Sequence, residues 1–207
     1  EAFSGCANLI EIDIPAGVSI GEAAFNGCPL ETVSIDSNFG ALFNQMASLK
    51  TITIGNNVTE INEYAFYWSR ITSITIPDSI KEIGQYVFSN CKNLSTITIT
   101  DGDNDIDLSQ RVFQNCTALK SIVIPNRVSL VPNYTFEGCY YLKDVFFGDN
   151  FNGNFAIYPG TFYRARLKNI YLTPTALDNI NENMKDTYKW ETINYGYNQT
   201  FAQKINI

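Results

Sequence analysis

Five cysteines, Cys6, Cys28, Cys91, Cys116 and Cys139, are the residues whose type and spacing most invite chemistry. Each stands three positions after a phenylalanine: Phe3, Phe25, Phe88, Phe113 and Phe136. Cysteines placed so regularly can form bridges, ligate a metal or supply a nucleophile. Their number is odd, so at least one has no bridging partner. If the shared position means neighbouring coils of a stack, their Cα atoms fall about 5 Å apart, within disulfide range. Their Cβ atoms would then point the same way, which favours stacked free thiols over a bridge. There is no Cys-x-x-Cys pair, and the 207 residues contain no histidine. The usual general base and the commonest zinc ligand are therefore missing. The thiols read as small buried hydrophobes.

Asp101, Asp103, Asp105 and Asp107 alternate as acidic residues do in calcium loops. An EF-hand needs Gly at its sixth and Glu at its twelfth position. Counted from Asp101 these are Ile106 and Val112, and counted from Asp103 they are Leu108 and Gln114. The segment reads as a solvated acidic loop. Glu60/Glu63, Glu22/Glu31 and Glu11/Asp13 supply carboxylate pairs, but nothing singles out one that flanks a cleft. No catalytic residue, metal or cofactor is implied, and the chain does not read as an enzyme.

Net charge is −7 and the pI about 4.6, so a phosphate backbone or an anionic membrane surface is repelled. Neither nucleic acid nor membrane insertion is expected, since no apolar run approaches the roughly 18 residues that span a bilayer. Apolar residues make up 45% and charged residues 17%, enough to build a core.

The elements that would position these residues come from one recurring phrase: Ala-Phe-x-x-Cys-x-x-Leu-x-x-Ile-x-Ile-Pro. It is plainest from Phe3 to Pro15 and returns from Phe88, Phe113 and Phe136. Weaker copies start at Phe25, Phe43, Phe66 and Phe162, with Met46, Ser69 and Ala165 standing where Cys is expected in three of them. In all eight copies the Leu position precedes two strand apolars by three and five residues. Those apolars alternate with period two and are mostly β-branched, so they share one face of a strand. Pro15, Pro77 and Pro125 follow the strand and lack the N–H that would continue a ladder. A return limb carries a second apolar pair, such as Val58/Ile61 or Ile80/Ile83. No single coil can bury this set, whereas stacked coils bury it continuously.

This text resembles the BspA-like, or Treponema-type, class of leucine-rich repeats, whose coils have about 23 residues. Intervals of 19 to 25 residues between successive Leu positions agree with it. The resemblance implies a repeat solenoid, mainly parallel β with short helical turns, as a curved right-handed array of about eight coils. Residues 1–172 form the array, its first coil truncated because Glu1-Ala2-Phe3 opens within a repeat. Residues 173–193, with Pro174 at a helix start and Leu177, Ile180 and Met184 spaced for an amphipathic helix, read as a C-terminal cap. Residues 194–207 read as a tail, linker or short hairpin. The family's members are mostly secreted or surface proteins of host-associated bacteria and some protists, several linked to adhesion. The resemblance thus implies an extracellular or cell-surface protein-binding module, with no catalytic residues to carry over. Rival readings are a structural spacer for a neighbouring domain and a carbohydrate-binding surface.

The outward strand positions carry the remaining signal. One ladder reads Asp13, Ser34, Thr53, Thr75, Thr98, Val123, Phe146, Tyr171, and the position before the strand ends in Lys120, Lys143 and Lys168. Threonine suits a sheet face. An apolar and aromatic row beside lysines is instead the composition of interface hot regions. These six residues are the expected contact for a protein partner, such as a host matrix or surface protein, or for a glycan. The array is expected to be monomeric.

Overall fold

The structure is a computed structural model that describes residues 2–148, 156–158, 160–172, 192–197 and 202–206. It is a parallel β-solenoid. Each copy contributes one four-residue strand: β1 (Glu11–Ile14), β2 (Thr32–Ile35), β3 (Thr51–Ile54), β5 (Ser73–Ile76), β7 (Thr96–Ile99), β9 (Ser121–Ile124), β11 (Asp144–Phe147) and β13 (Asn169–Leu172). Register pairs equivalent residues: Val33 with both Ile12 and Ile52, Ile74 with Ile97, and Val145 with both Ile122 and Ile170. The expected single ladder is divided, however. Hydrogen-bonded pairing joins β1-β2-β3, then β5-β7, then β9-β11-β13, while β3 and β5, and β7 and β9, remain neighbours without a shared ladder. Of the eight equivalent residues, Ile12 is half-buried and the others are buried.

The return limbs add short second strands. β4 (Glu60–Ile61), β6 (Glu82–Ile83) and β8 (Asp107–Leu108) form one sheet, and β10 (Leu130–Val131) pairs with β12 (Ala156–Ile157). The chain ends in a hairpin of β14 (Thr192–Tyr197) and β15 (Ala202–Asn206), and β15 runs antiparallel along β13. The expected helical cap falls, apart from its last two residues, outside the described residues.

No helix occurs among the described residues, so the expected short helical turns are tight turns instead. The backbone supplies the reason. Left-handed φ values recur two residues before the buried phenylalanine, at Tyr64, Tyr86, Arg111 and Tyr134. They recur two residues after it, at Gly5, Gly27, Trp68, Asn90 and Asn115. A left-handed residue stops a right-handed helix, and two flanking one aromatic leave no room for a helical turn.

Between these turns and the strands lies the core. Phe25, Phe43, Phe66, Phe88, Phe113 and Phe136 are almost wholly buried and stack ring on ring at 5.4 to 6.2 Å. Among the described residues, one charged side chain lies inside. Arg127 is 3% exposed, and its two terminal nitrogens donate to the carbonyls of Pro77, Asp78, Ile80 and Asn104 at 2.8 to 3.2 Å. Its Nε has no partner.

Candidate functional site

The six residues expected at the contact lie on the last described strands of the array. Val123, Phe146 and Tyr171 occupy one register row across β9, β11 and β13. Val123 is 54% exposed, while Phe146 and Tyr171 are half-buried. The two rings stack at 4.3 Å and 6°. The Tyr171 phenol is pushed above its ordinary range by burial and by the charge and hydrogen bond of Asp144. Lys120, Lys143 and Lys168 are exposed and joined through the backbone: Lys143 N–H donates to the Lys120 carbonyl, and Lys168 N–H to the Lys143 carbonyl. The structure thus brings all six together. β15 continues the sheet at the edge of β13, with Lys204 opposite Tyr171. Further along the face, the equivalent positions hold Thr53, Thr75 and Thr98, all exposed.

A second aromatic group lies on the turns and was not expected from the sequence. Tyr64 stacks on Tyr86 at 5.1 Å and 3°. Arg111 spans the next step, its guanidinium 5.7 Å from the Tyr86 ring and 4.6 Å from the Tyr134 ring. Its Nε lies 3.8 Å from a Glu137 carboxylate oxygen. Lys92 sits 5.0 Å over Trp68. These pairs satisfy ring faces and cations mutually, so the ladder first serves to join coil to coil. Its signal was present: the residue two before the phenylalanine reads Tyr64, Tyr86, Arg111, Tyr134 in successive copies.

The cysteines form a ladder of another kind. No disulfide links any of the five, and Cys28, Cys91, Cys116 and Cys139 are buried. Each of these four donates its thiol hydrogen to a phenylalanine carbonyl of an earlier copy: Phe3, Phe66, Phe88 and Phe113, at 2.9 to 3.2 Å. Desolvation pushes the Cys91 and Cys139 thiols up to about 12 and Cys116 well above its ordinary value. Such thiols hold their protons near neutrality, which disfavours them as nucleophiles. Cys6 departs from the expectation of five buried thiols. It is exposed.

Among the described residues no three Cys, Asp or Glu side chains converge as metal ligands. In the acidic loop, the Asn104 carbonyl is already held by Arg127. No helix among the described residues is long and apolar enough to cross a membrane.

A stack of parallel strands, each preceded by a Phe-containing turn that in four copies ties a buried thiol to an earlier coil, leaves one sequence comparison to decide the family. A family profile described as the BspA type leucine rich repeat region matches six copies, over residues 1–46, 40–143 and 106–205. The chain belongs to this family. Proteins of the BspA type are generally non-enzymatic repeat scaffolds. Among solved structures, the chain is similar to a leucine-rich repeat protein from Bacteroides ovatus, with 28% identity and a TM-score of 0.61. That match covers 81% of this chain and 44% of the other, so this chain spans less than half of its length. It is also similar in fold to the leucine rich repeat protein of T. pallidum, with 23% identity, a TM-score of 0.52 and coverage of 67% and 73%. No curated protein matches the sequence.

Proposed function

We propose that this BspA-type array is an extracellular or cell-surface adhesion module that binds a protein through the row Val123, Phe146 and Tyr171. The observation that carries this reading is the union of that row with three exposed lysines in register, where the equivalent outward positions of β3, β5 and β7 are Thr53, Thr75 and Thr98. Stacked aromatics beside cations are typical anchors of protein interfaces. The lysines on a chain of net charge −7 favour an acidic patch on the partner. They speed encounter more than they add affinity, so association should slow as salt rises. A glycan is less well served. Phe146 and Tyr171 already occupy each other's inner faces at 4.3 Å, and a sugar ring needs an open face to stack on.

The test is a binding screen of the intact array against purified extracellular matrix proteins and, separately, an immobilised glycan panel. Saturable, salt-sensitive binding to an acidic protein supports the proposal. Binding confined to glycans, or to neither panel, counts against it.

A further inference from the structure

The five copies from Phe66 onward carry much of their positive charge along one edge, between the buried phenylalanine and the strand. Arg70, Lys92, Lys120, Lys143 and Arg166 stand there, one in each copy, and Arg164 and Lys168 add to the last. All seven are exposed, and none is ion-paired among the described residues. Glu137 is the one carboxylate within these segments, and it is already held by Gln114 at 2.6 Å and by Arg111. Asp144, at the start of β11, accepts a hydrogen bond from Asn169. The same segments of the first three copies hold a single cation, Lys50, which is paired with Glu31 at 2.8 Å. Carboxylates gather instead on the limb after the strand, at Asp36, Asp78, Asp101, Asp103 and Asp105. A chain of net charge −7 thus keeps a cationic strip along one edge.

Open rings are set among these cations. Tyr141 is 60% exposed and Trp68 48%. Tyr140 and Tyr163 are exposed in the same segments. Lys92 reaches back one coil to lie 5.0 Å over Trp68. Tyr141 stacks on no other ring among the described residues, in contrast to Phe146 and Tyr171, which cover each other.

Spacing selects the occupant. Successive coils advance by about 4.8 Å. Backbone hydrogen bonds from Lys143 to Lys120 and from Lys168 to Lys143 hold the last cations in step with the coils. Side chains on one face of an extended peptide recur every second residue, at about 6.7 Å, so an acidic peptide runs out of step with the strip. A chain of pyranose rings advances by about one coil spacing per sugar and can bear an acid group on each. Its C–H faces suit an open aromatic ring, and a guanidinium forks onto a carboxylate or sulfate. We infer that this edge is a second binding site, for an extended acidic glycan that carries a uronate carboxylate or a sulfate on successive sugars. The site shares the lysines of the sheet-face row but none of its rings, and it does not depend on a protein contacting Phe146 and Tyr171.

The probes are oligogalacturonate, dextran sulfate, neutral dextran and polyglutamate, each titrated into the intact array by calorimetry at low and at physiological salt. At least one of the two acidic glycans should bind, with affinity falling as salt rises, and which of them binds separates uronate from sulfate recognition. Neutral dextran should not bind, and polyglutamate of equal charge should bind more weakly. Arg70→Gln and Arg166→Gln should each weaken glycan binding by about threefold, and Tyr141→Ala by about fivefold. All three side chains are exposed, so circular dichroism should be unchanged. Phe146→Ala should leave glycan binding as it was, and Arg70→Gln should leave the affinity of any protein partner as it was, which separates this site from the sheet-face row. The inference is overturned if neither acidic glycan binds, if polyglutamate binds as well as they do, or if the three variants bind like the parent. Salt-sensitive dimerisation in place of glycan binding would assign the strip to the acidic limb of a second copy and overturn it too.

Discussion

The Cys91 thiol donates a hydrogen bond of 3.0 Å to the carbonyl of Phe66, one copy earlier. The same carbonyl also accepts the N–H of Ser69 in its own turn. A carbonyl has two lone pairs, and burial makes an unused one costly. Cysteine is small enough for the stack and still brings a donor, which explains the residue type at this position without any redox role.

The thiols should therefore be silent in the native protein. A thiol reagent near neutral pH should modify Cys6 quickly and the four buried cysteines only after denaturation. Stability should also depend on pH. The folded-state values of Cys91, Cys116 and Cys139 are raised, so thiolate forms more easily in the unfolded chain. Stability is then fully present below the ordinary thiol value of about 9 and is lost as pH rises from there towards about 12. Urea midpoints that hold constant from pH 8 to pH 11, in steps of roughly one unit, would contradict this.

Arg127 should be the most sensitive single position. It ties four carbonyls from two loops, and desolvation already lowers its affinity for its proton. Arg127→Met removes the charge but leaves those carbonyls without a donor, and should cost about 3 kcal/mol in urea unfolding. Arg127→Lys should recover little of it, because an ammonium cannot fork to separated acceptors. Full recovery with lysine would mean that charge alone matters.

The turn ladder should contribute to stability in a modest, local way. Arg111→Ala removes a cation from between Tyr86 and Tyr134 and from beside Glu137. Unfolding free energy should fall by about 1 kcal/mol, and pairing the change with Tyr134→Ala should give clearly less than the sum of the two. Strict additivity would show that the ring and the cation do not interact in solution.

How much of this was legible beforehand depended on whether a feature recurs. The strand register, the buried phenylalanine stack and the basic aromatic row each occupy one position of the phrase, so period and residue type located them. Features set by one copy's departure escaped. Arg127 follows Pro125 where a surface charge is ordinary, and only the carbonyls brought together by two other coils explain its burial. Cys6 matches its equivalents in sequence but differs in exposure, because burial at that position comes from the neighbouring coil. The division of the sheet beside β5 and β9 leaves no mark in residue type, since Ile74 and Ile122 obey the same alternation as the rest.

The central claim, that a protein partner contacts the row on β9, β11 and β13, is tested most directly by alanine substitution against whichever partner the binding screen returns. Equilibrium affinity should be measured for Phe146→Ala, Tyr171→Ala, Thr53→Ala and Thr75→Ala, with circular dichroism to verify each fold. The account predicts a loss of about 1–2 kcal/mol for each aromatic and a small change, about 0.3 kcal/mol, for each threonine. Equal losses at all four positions would mean a ligand lying along the whole sheet, and unchanged affinity for Phe146→Ala and Tyr171→Ala would contradict the claim outright.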